Sequence, residues 1–215
     1  MLRTATARLD DDTRRVAEYH FGWSNADGSS TEAGGKVLRP ALALAATRSA
    51  VGERADATAE VAAVAAAAVE LVHNFSLLHD DVMDGDTSRR HRPTAWTVFG
   101  TPAALLAGDA LLSLAPELLL ESGAPNAANA ARSLSATTRV LIAGQAADLD
   151  FERRQDVGLQ ECLRMAHDKT AVLLGCACSI GPLSLGARRD AVRVLHACGT
   201  ELGMAFQLVD DLLGL

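Results

Sequence analysis

The segment Val61 to Leu78 is an almost unbroken apolar run of Ala, Val and Leu with no Gly or Pro. Ala and Leu are strong helix formers. A helix that is apolar around most of its circumference has to be covered on all sides, so other elements must surround this one. Ala and Leu dominate the rest of the chain as well, and aromatic residues make up only 4%, so little favours strand. The expected fold class is all-α: a thick bundle with central helices, able to enclose an apolar cavity. Glu70, His73 and Asn74 interrupt the run, so it does not read as a membrane span.

Breaks are expected where Gly, Pro, Asn, Ser or charges cluster: Phe21 to Gly35, Gly85 to Pro93, Ser122 to Pro125, Phe151 to Gly158 and Gly181 to Gly186. Between them the pattern predicts helices over 4–20, 38–51, 55–84, 102–121, 126–150, 159–180 and 188–213. No linker is long enough to divide the 215 residues, so 1–215 is read as one domain. A net charge of −7 argues against nucleic acid as a partner, which would need Lys and Arg gathered in surplus on one face. Cys162, Cys176, Cys178 and Cys198 have no paired metal-ligand spacing and are read as packing residues in a reducing cytosol, hence a cytoplasmic protein. Met1 to Asp12 is polar and lacks the apolar run of a signal peptide.

Two apolar segments end in acidic pairs, Asp80-Asp81 with Asp84 and Asp210-Asp211. Carboxylates brought together on an apolar helix repel each other and lose solvation unless a cation compensates. Asp80 and Asp84 are i, i+4 neighbours on one helix face, and oxygen ligands of this kind suit Mg²⁺ completed by phosphate oxygens. Taken alone, a solvated helix end explains them equally well. His73 lies about two turns before Asp80 on nearly the same face as Glu70, where it could donate to a second anion or simply be a core histidine. The turn after the aspartates leads into Arg89-Arg90-His91-Arg92-Pro93, which supplies guanidinium groups suited to phosphate, or a surface basic patch. Upstream, Gly34-Gly35-Lys36-Val37-Leu38-Arg39-Pro40 places two cations where a helix begins, a plausible diphosphate site.

These segments together resemble the trans-isoprenyl diphosphate synthases, or polyprenyl synthetases, and within them the geranylgeranyl type. Gly-Gly-Lys-x-Leu-Arg-Pro, Glu70-x-x-His73, Asp-Asp-x-x-Asp with Arg-Arg-x-Arg-Pro-Thr, Gly144-Gln145-x-x-Asp148, Lys169-Thr170 and Phe206-Gln207-x-x-Asp210-Asp211 stand in the family's order over residues 16 to 215. The resemblance implies an isoprenoid synthase-type helical bundle around a deep apolar cavity, with two aspartate-rich segments facing each other at its mouth. It implies that Asp80 and Asp84 coordinate two Mg²⁺ ions and Asp210 a third, with Asp81 and Asp211 nearby. Arg89, Lys169, Thr170 and Gln207 would contact an allylic diphosphate, and Lys36, Arg39, His73 and Arg90 would hold isopentenyl diphosphate. The implied reaction is ionisation, condensation and elimination to a longer trans-prenyl diphosphate, carried out by a homodimer. The bulky Phe75 beside the small Ser76, five and four residues before Asp80, resembles the pattern for a C20 product, although Phe75 could also be ordinary core.

The sequence departs from the family pattern at its end. Gly214 stands where a last Asp is expected, and the sequence stops at Leu215. The expectation is a prenyl synthase domain without its C-terminal helices, with apolar surface exposed on helix 188–213 and an incomplete site. A class I terpene cyclase would share the fold but has no need of Lys36, Arg39 and His73. A non-catalytic regulatory subunit would typically lose aspartates that this chain keeps. A metal phosphohydrolase around His79-Asp80 would need further histidines, which His20, His167 and His196 do not supply by any motif.

Overall fold

The structure is a computed structural model that describes residues 1–31, 38–51 and 56–214. Its helices are α1 (Leu2–Thr6), α2 (Asp11–His20), α3 (Leu38–Val51), α4 (Asp56–Met83), α5 (Ala95–Phe99), α6 (Thr101–Glu121), α7 (Ala127–Phe151), α8 (Leu159–Ala166), α9 (Val172–Ser184) and α10 (Arg189–Gly214). A single π turn, His167–Ala171, joins α8 to α9, and two short antiparallel strands, β1 (Ser88–Arg89) and β2 (Arg92–Pro93), form a hairpin after α4. Among the described residues the fold is all-α apart from that hairpin and one isolated bridge between Ser24 and Ser30.

The apolar run of α4 is the bundle's axis. It packs against α3, α6 and α9, with α5 and α7 touching it at one side. A second central helix, α9, lies among α3, α4, α7 and α10 and is buried along almost its whole length. Leu71 and Leu78 of α4, Leu111 and Leu119 of α6, Leu134 of α7 and Leu173 of α9 are sealed in the shared core. Each such side chain contributes about 1.5–3 kcal/mol through loss of water contact. Both α4 and α6 are long and apolar enough to span a membrane, but 83% of the apolar window of α4 is buried inside the protein.

Three sequence expectations change. The helix expected over 4–20 is two helices, because Asp10 leaves the helical path and its carboxylate accepts the backbone N–H of Thr13 at 3.0 Å, capping a fresh start for α2. The break expected from Gly181 falls later, after Ser184, and α9 runs through Gly181 and Pro182. Gly181 is there for close approach, since a Cβ would collide with Thr47 of α3. Cys176 and Cys178 are buried packing residues, but Cys162 and Cys198 are exposed, because α8 and α10 are each covered on one side only. All four cysteines are free.

The helix expected over 188–213 does expose apolar surface. It rests on α9 and the π turn, while Val209, Leu212 and Leu213 stand open to solvent.

Candidate active site

The first acidic motif closes α4, and the hairpin folds back over it. Arg92 anchors that hairpin: its guanidinium stacks over Tyr19 at 4.4 Å and donates to the carbonyls of Tyr19 (3.2 Å) and Ser24 (2.8 Å). Tyr19 returns a bond from its hydroxyl to the Pro93 carbonyl at 2.8 Å, and the Thr94 hydroxyl and Trp96 indole donate to the Asp86 carbonyl. The hairpin thereby aims Arg89 back at α4, where it meets Asp81 in an ion pair at 2.6 Å through Nε and Nη2. Asp81 is 1% exposed, and its Oδ2 has no partner among the described residues. Burial pushes the Asp81 carboxyl up, and Arg89 opposes that rise.

Asp80 looks the other way, toward Lys169. Burial pushes its carboxyl up to about 7, against the pull of Lys169 and with Asp84 adding repulsion. Asp84 is exposed, and its carboxyl is likewise raised by desolvation, opposed by Lys169. Lys169 itself is held in a close ion pair by Asp148 of α7. The backbones of α7 and the π turn touch at Gly144, where a Cβ would stand 2.8 Å from Lys169 Cα and 2.6 Å from the Asp168 carbonyl carbon. Next along the turn, the Thr170 hydroxyl donates to Gln207 Oε1 at 2.5 Å, and Gln207 Nε2 donates to Asp211 at 2.7 Å.

The cationic face proposed for a second anion lies on the far side of Asp81. Arg39, at the start of α3, has Nη1 3.0 Å from His73 Nε2, and its buried Nε has no partner among the described residues. Burial holds the His73 imidazole well below its usual range, reinforced by Arg39 and Arg90, so it is neutral and a hydrogen-bonding group. Glu70 is buried behind them, its carboxylate accepting from Asn74 at 3.1 Å, and burial raises its pKa against the pull of Arg39 and Arg90. His20 of α2, pushed down to about 3 by burial and by Arg89 and Arg90, completes this face. It carried no motif in the sequence and is brought in by the fold alone. Lys36 lies outside the described residues.

Below Asp80 an apolar cavity of about 380 Å³ runs between α4, α6 and α7, lined by Phe75, Ser76, Leu112, Leu141, Gln145 and Leu149 among others. Phe75 packs edge-on against His79 at 4.8 Å, and the Ser76 hydroxyl is turned to the His73 carbonyl at 2.9 Å. The second acidic pair is placed differently. Asp210 and Asp211 are exposed, and among the described residues no hydrogen bond or ion pair ties them to Asp80 or Asp84, nor do three acidic, His or Cys groups cluster closely enough to hold a metal. Crowded carboxylates with raised pKa values and an orphaned buried oxygen at Asp81 are nevertheless a donor set that suits Mg²⁺, which takes one or two carboxylates and fills its shell with water and phosphate.

A polyprenyl synthetase family model matches residues 25–215. The chain belongs to the polyprenyl synthetase family. It is 51% identical over 215 residues to a (2E,6E)-farnesyl diphosphate synthase of Mycobacterium tuberculosis, covering 100% of this chain and 58% of that protein. It is 44% identical over 220 residues to a geranylgeranyl diphosphate synthase of the same organism, covering 100% of this chain and 61% of that one. Among solved structures, the polyprenyl synthetase of Streptomyces coelicolor A3(2) superposes with a TM-score of 0.92 at 50% identity, covering 100% of this chain and 62% of that structure. This polyprenyl synthetase chain thus spans about three fifths of the length of such relatives.

Proposed function

We propose that this chain carries the metal-binding and substrate-binding core of a Mg²⁺-dependent trans-prenyltransferase that joins isopentenyl diphosphate to an allylic diphosphate. The observation that carries it is the opening of the apolar cavity directly at Asp80, which gives a hydrocarbon tail and its diphosphate head one continuous site. Asp80 and Asp84 would hold Mg²⁺ from the first motif and Asp210 from the second, with Asp81 and Asp211 beside them; the bound metal supplies charge to the departing diphosphate. Lys169, Arg89 and Thr170 bind that same head, and the Lys169–Asp148 and Arg89–Asp81 pairs are the contacts a diphosphate exchanges with. Lys36, Arg39, His73 and Arg90 orient isopentenyl diphosphate on the opposite side. A neutral His73 donates a hydrogen bond there without adding charge. The π turn at His167–Ala171 breaks the regular backbone ladder beside Lys169, which would leave a carbonyl there free to face the cation. The apolar part of the lining, Phe75, Leu112, Leu141 and Leu149, limits the water that can reach the cation.

A C20 product is the favoured length. Phe75 and Ser76 both line the cavity together with Leu112 and Leu141, and a bulky residue beside a small one is the arrangement that resembles the longer product. A C15 product is the second reading, favoured by 51% identity to a protein named as a farnesyl diphosphate synthase. A homodimer fits the apolar side chains that α6 and α7 present to solvent, Leu106, Leu120 and Ile142. Free cysteines suit a cytoplasmic protein.

The test incubates the full chain with Mg²⁺, isopentenyl diphosphate and each of the C5, C10 and C15 allylic diphosphates, with products read by mass spectrometry. A dominant C15 product overturns the Phe75 argument, and a cyclised hydrocarbon overturns the synthase reading.

A further inference from the structure

The Gly144-Gln145-x-x-Asp148 segment of α7 is only partly explained by the site above. Gly144 sets the approach to Lys169 and Asp148 pairs with it, while Gln145 does neither. Gln145 is 5% exposed, lines the apolar cavity together with Phe75 and Asp80, and finds no partner among the described residues for either Oε1 or Nε2. An unpaired buried amide is expensive to keep, and protein interiors rarely tolerate one without a reason. Gln207 makes the contrast: its Oε1 accepts from Thr170 and its Nε2 donates to Asp211, so its amide is committed at both ends. The uncommitted amide of this site belongs to Gln145.

What the cavity can bring to that amide narrows its role. A prenyl chain offers no hydrogen-bonding group, so neither the bound substrate tail nor the product satisfies it. Positive charge is the exception, and it exists only while the reaction is under way. When the allylic C–O bond breaks, both electrons leave with the diphosphate, and the allyl fragment carries positive charge shared between C1 and C3. The isopentenyl double bond then donates its π electrons to C1, forming the new C–C bond, and the resulting tertiary cation loses a proton to the released diphosphate. An amide sealed in the cavity wall is a fixed dipole that acts through space on the charged species in that sequence and is nearly indifferent to the neutral ones, which is the condition for lowering a barrier rather than merely binding. Gln145 stands three residues before Asp148, about one helical turn along α7 from the level at which Lys169 is held, where the first carbons of the chain would lie.

We infer that Gln145 is a catalytic residue for prenyl transfer, stabilising the allylic cation with its side-chain carbonyl. The inference rests on the prenyl-transfer reading above and adds a residue to it. It is tested in the full chain with Gln145→Leu and the unbranched Gln145→Met, using two probes: an allylic thiolodiphosphate, neutral at the reacting carbons, and an ammonium analogue that mimics the cation, supplied with inorganic diphosphate. Both variants should keep or raise the thermal midpoint, because an unpaired amide is replaced by apolar atoms. Affinity for the ammonium probe should fall about tenfold or more and kcat by a similar factor, with thiolodiphosphate affinity and both KM values held within about twofold. A thermal midpoint that drops, or affinities for the two probes that change together or not at all, overturns the assignment and marks Gln145 as a structural or water-holding amide. Wild-type protein that binds neither probe overturns the prenyl-transfer reading itself, a result separable from loss of charge preference in the variants.

Discussion

Two helices of this chain end in the same chemistry, an acidic pair after an apolar stretch, and the fold treats them in opposite ways. At the end of α4, Asp81 is sealed at 1% exposure, clamped by Arg89, and backed by a hairpin that Arg92 and Tyr19 tie to α2. At the end of α10, Asp210 and Asp211 stand in solvent, and one bond from Gln207 to Asp211 is the organisation around them. A carboxylate's setting is therefore decided by what packs around the helix end. The first pair is a built site; among the described residues the second is tied by no side-chain contact beyond its own helix.

The largest loss that tests that contrast is Arg89→Ala. It leaves Asp81 buried without a cation, a loss of the kind that costs about 3 kcal/mol, discounted somewhat because Arg89 is itself partly exposed. Urea unfolding should show the midpoint fall, and the double variant with Asp81→Asn should recover most of the loss. A change below about 0.5 kcal/mol would place the first pair on the same footing as the second.

Next in size is Gly144→Ala. The added Cβ has Lys169 Cα 2.8 Å away and must push the π turn off α7, an overpacking cost of about 1–3 kcal/mol. Because Lys169 and Thr170 ride on that turn, kcat should fall by more than the stability loss explains, and a crystal structure of the variant should show Lys169 displaced from Asp148. Retained stability and activity would mean that the turn is not what positions Lys169.

The bundle was legible in the sequence for a physical reason: Ala-rich apolar runs punctuated by Gly and Pro leave few alternatives to helix, and α3, α4, α6 and α7 fall within a residue or so of where the pattern put them. The first motif was legible too, since Asp80, Asp81 and Asp84 with the arginines after them form a local pattern. The hairpin was not. Its turn residues Arg90 and His91 adopt φ of 52° and 61°, a conformation that tight hairpins usually give to Asn or Gly. Nothing local in Arg-Arg-His-Arg signals it, and it is held by long-range contacts to Tyr19 and Ser24. His20 escaped notice for the same reason, being 53 residues from His73 in sequence and joined to its surroundings only by the fold. The split of α1 from α2 could have been read from Asp10-Asp11-Asp12, an acidic start that caps a helix and matches its dipole.

The pH dependence of the first pair gives an effect with a definite sign. Burial holds the Asp80 carboxyl at about 7 when folded, against 3.8 for the ordinary group. The folded chain therefore binds more protons than the unfolded chain between those values. The stability this group contributes is full below about 4 and is lost as pH rises through about 7. Metal-free wild-type protein compared with Asp80→Asn should diverge over that window, the variant being more stable at pH 8 by up to about 4 kcal/mol. Mg²⁺ with inorganic diphosphate should erase the difference in sign, since the ionised wild-type carboxylate then has a cation to hold. A difference that is flat with pH would show Asp80 to be ionised throughout.

The smallest expected effect is the one that bears most directly on the contrast. Asp211→Ala removes an exposed carboxylate whose one recorded bond is to a neighbour on its own helix, so the ligand-free chain should change by less than about 0.5 kcal/mol. Its consequence should appear only with ligand. Hydrogen exchange of the wild type should show amides of Phe206 to Leu213 slowed by Mg²⁺ plus inorganic diphosphate, while those of Asp80 to Asp84, already fixed by the Arg89 pair, change little. The Asp211→Ala chain should lose the first response and keep the second. If instead the ligand slows both segments equally, or slows α4 alone, the two acidic ends do not divide into a standing half and a recruited half.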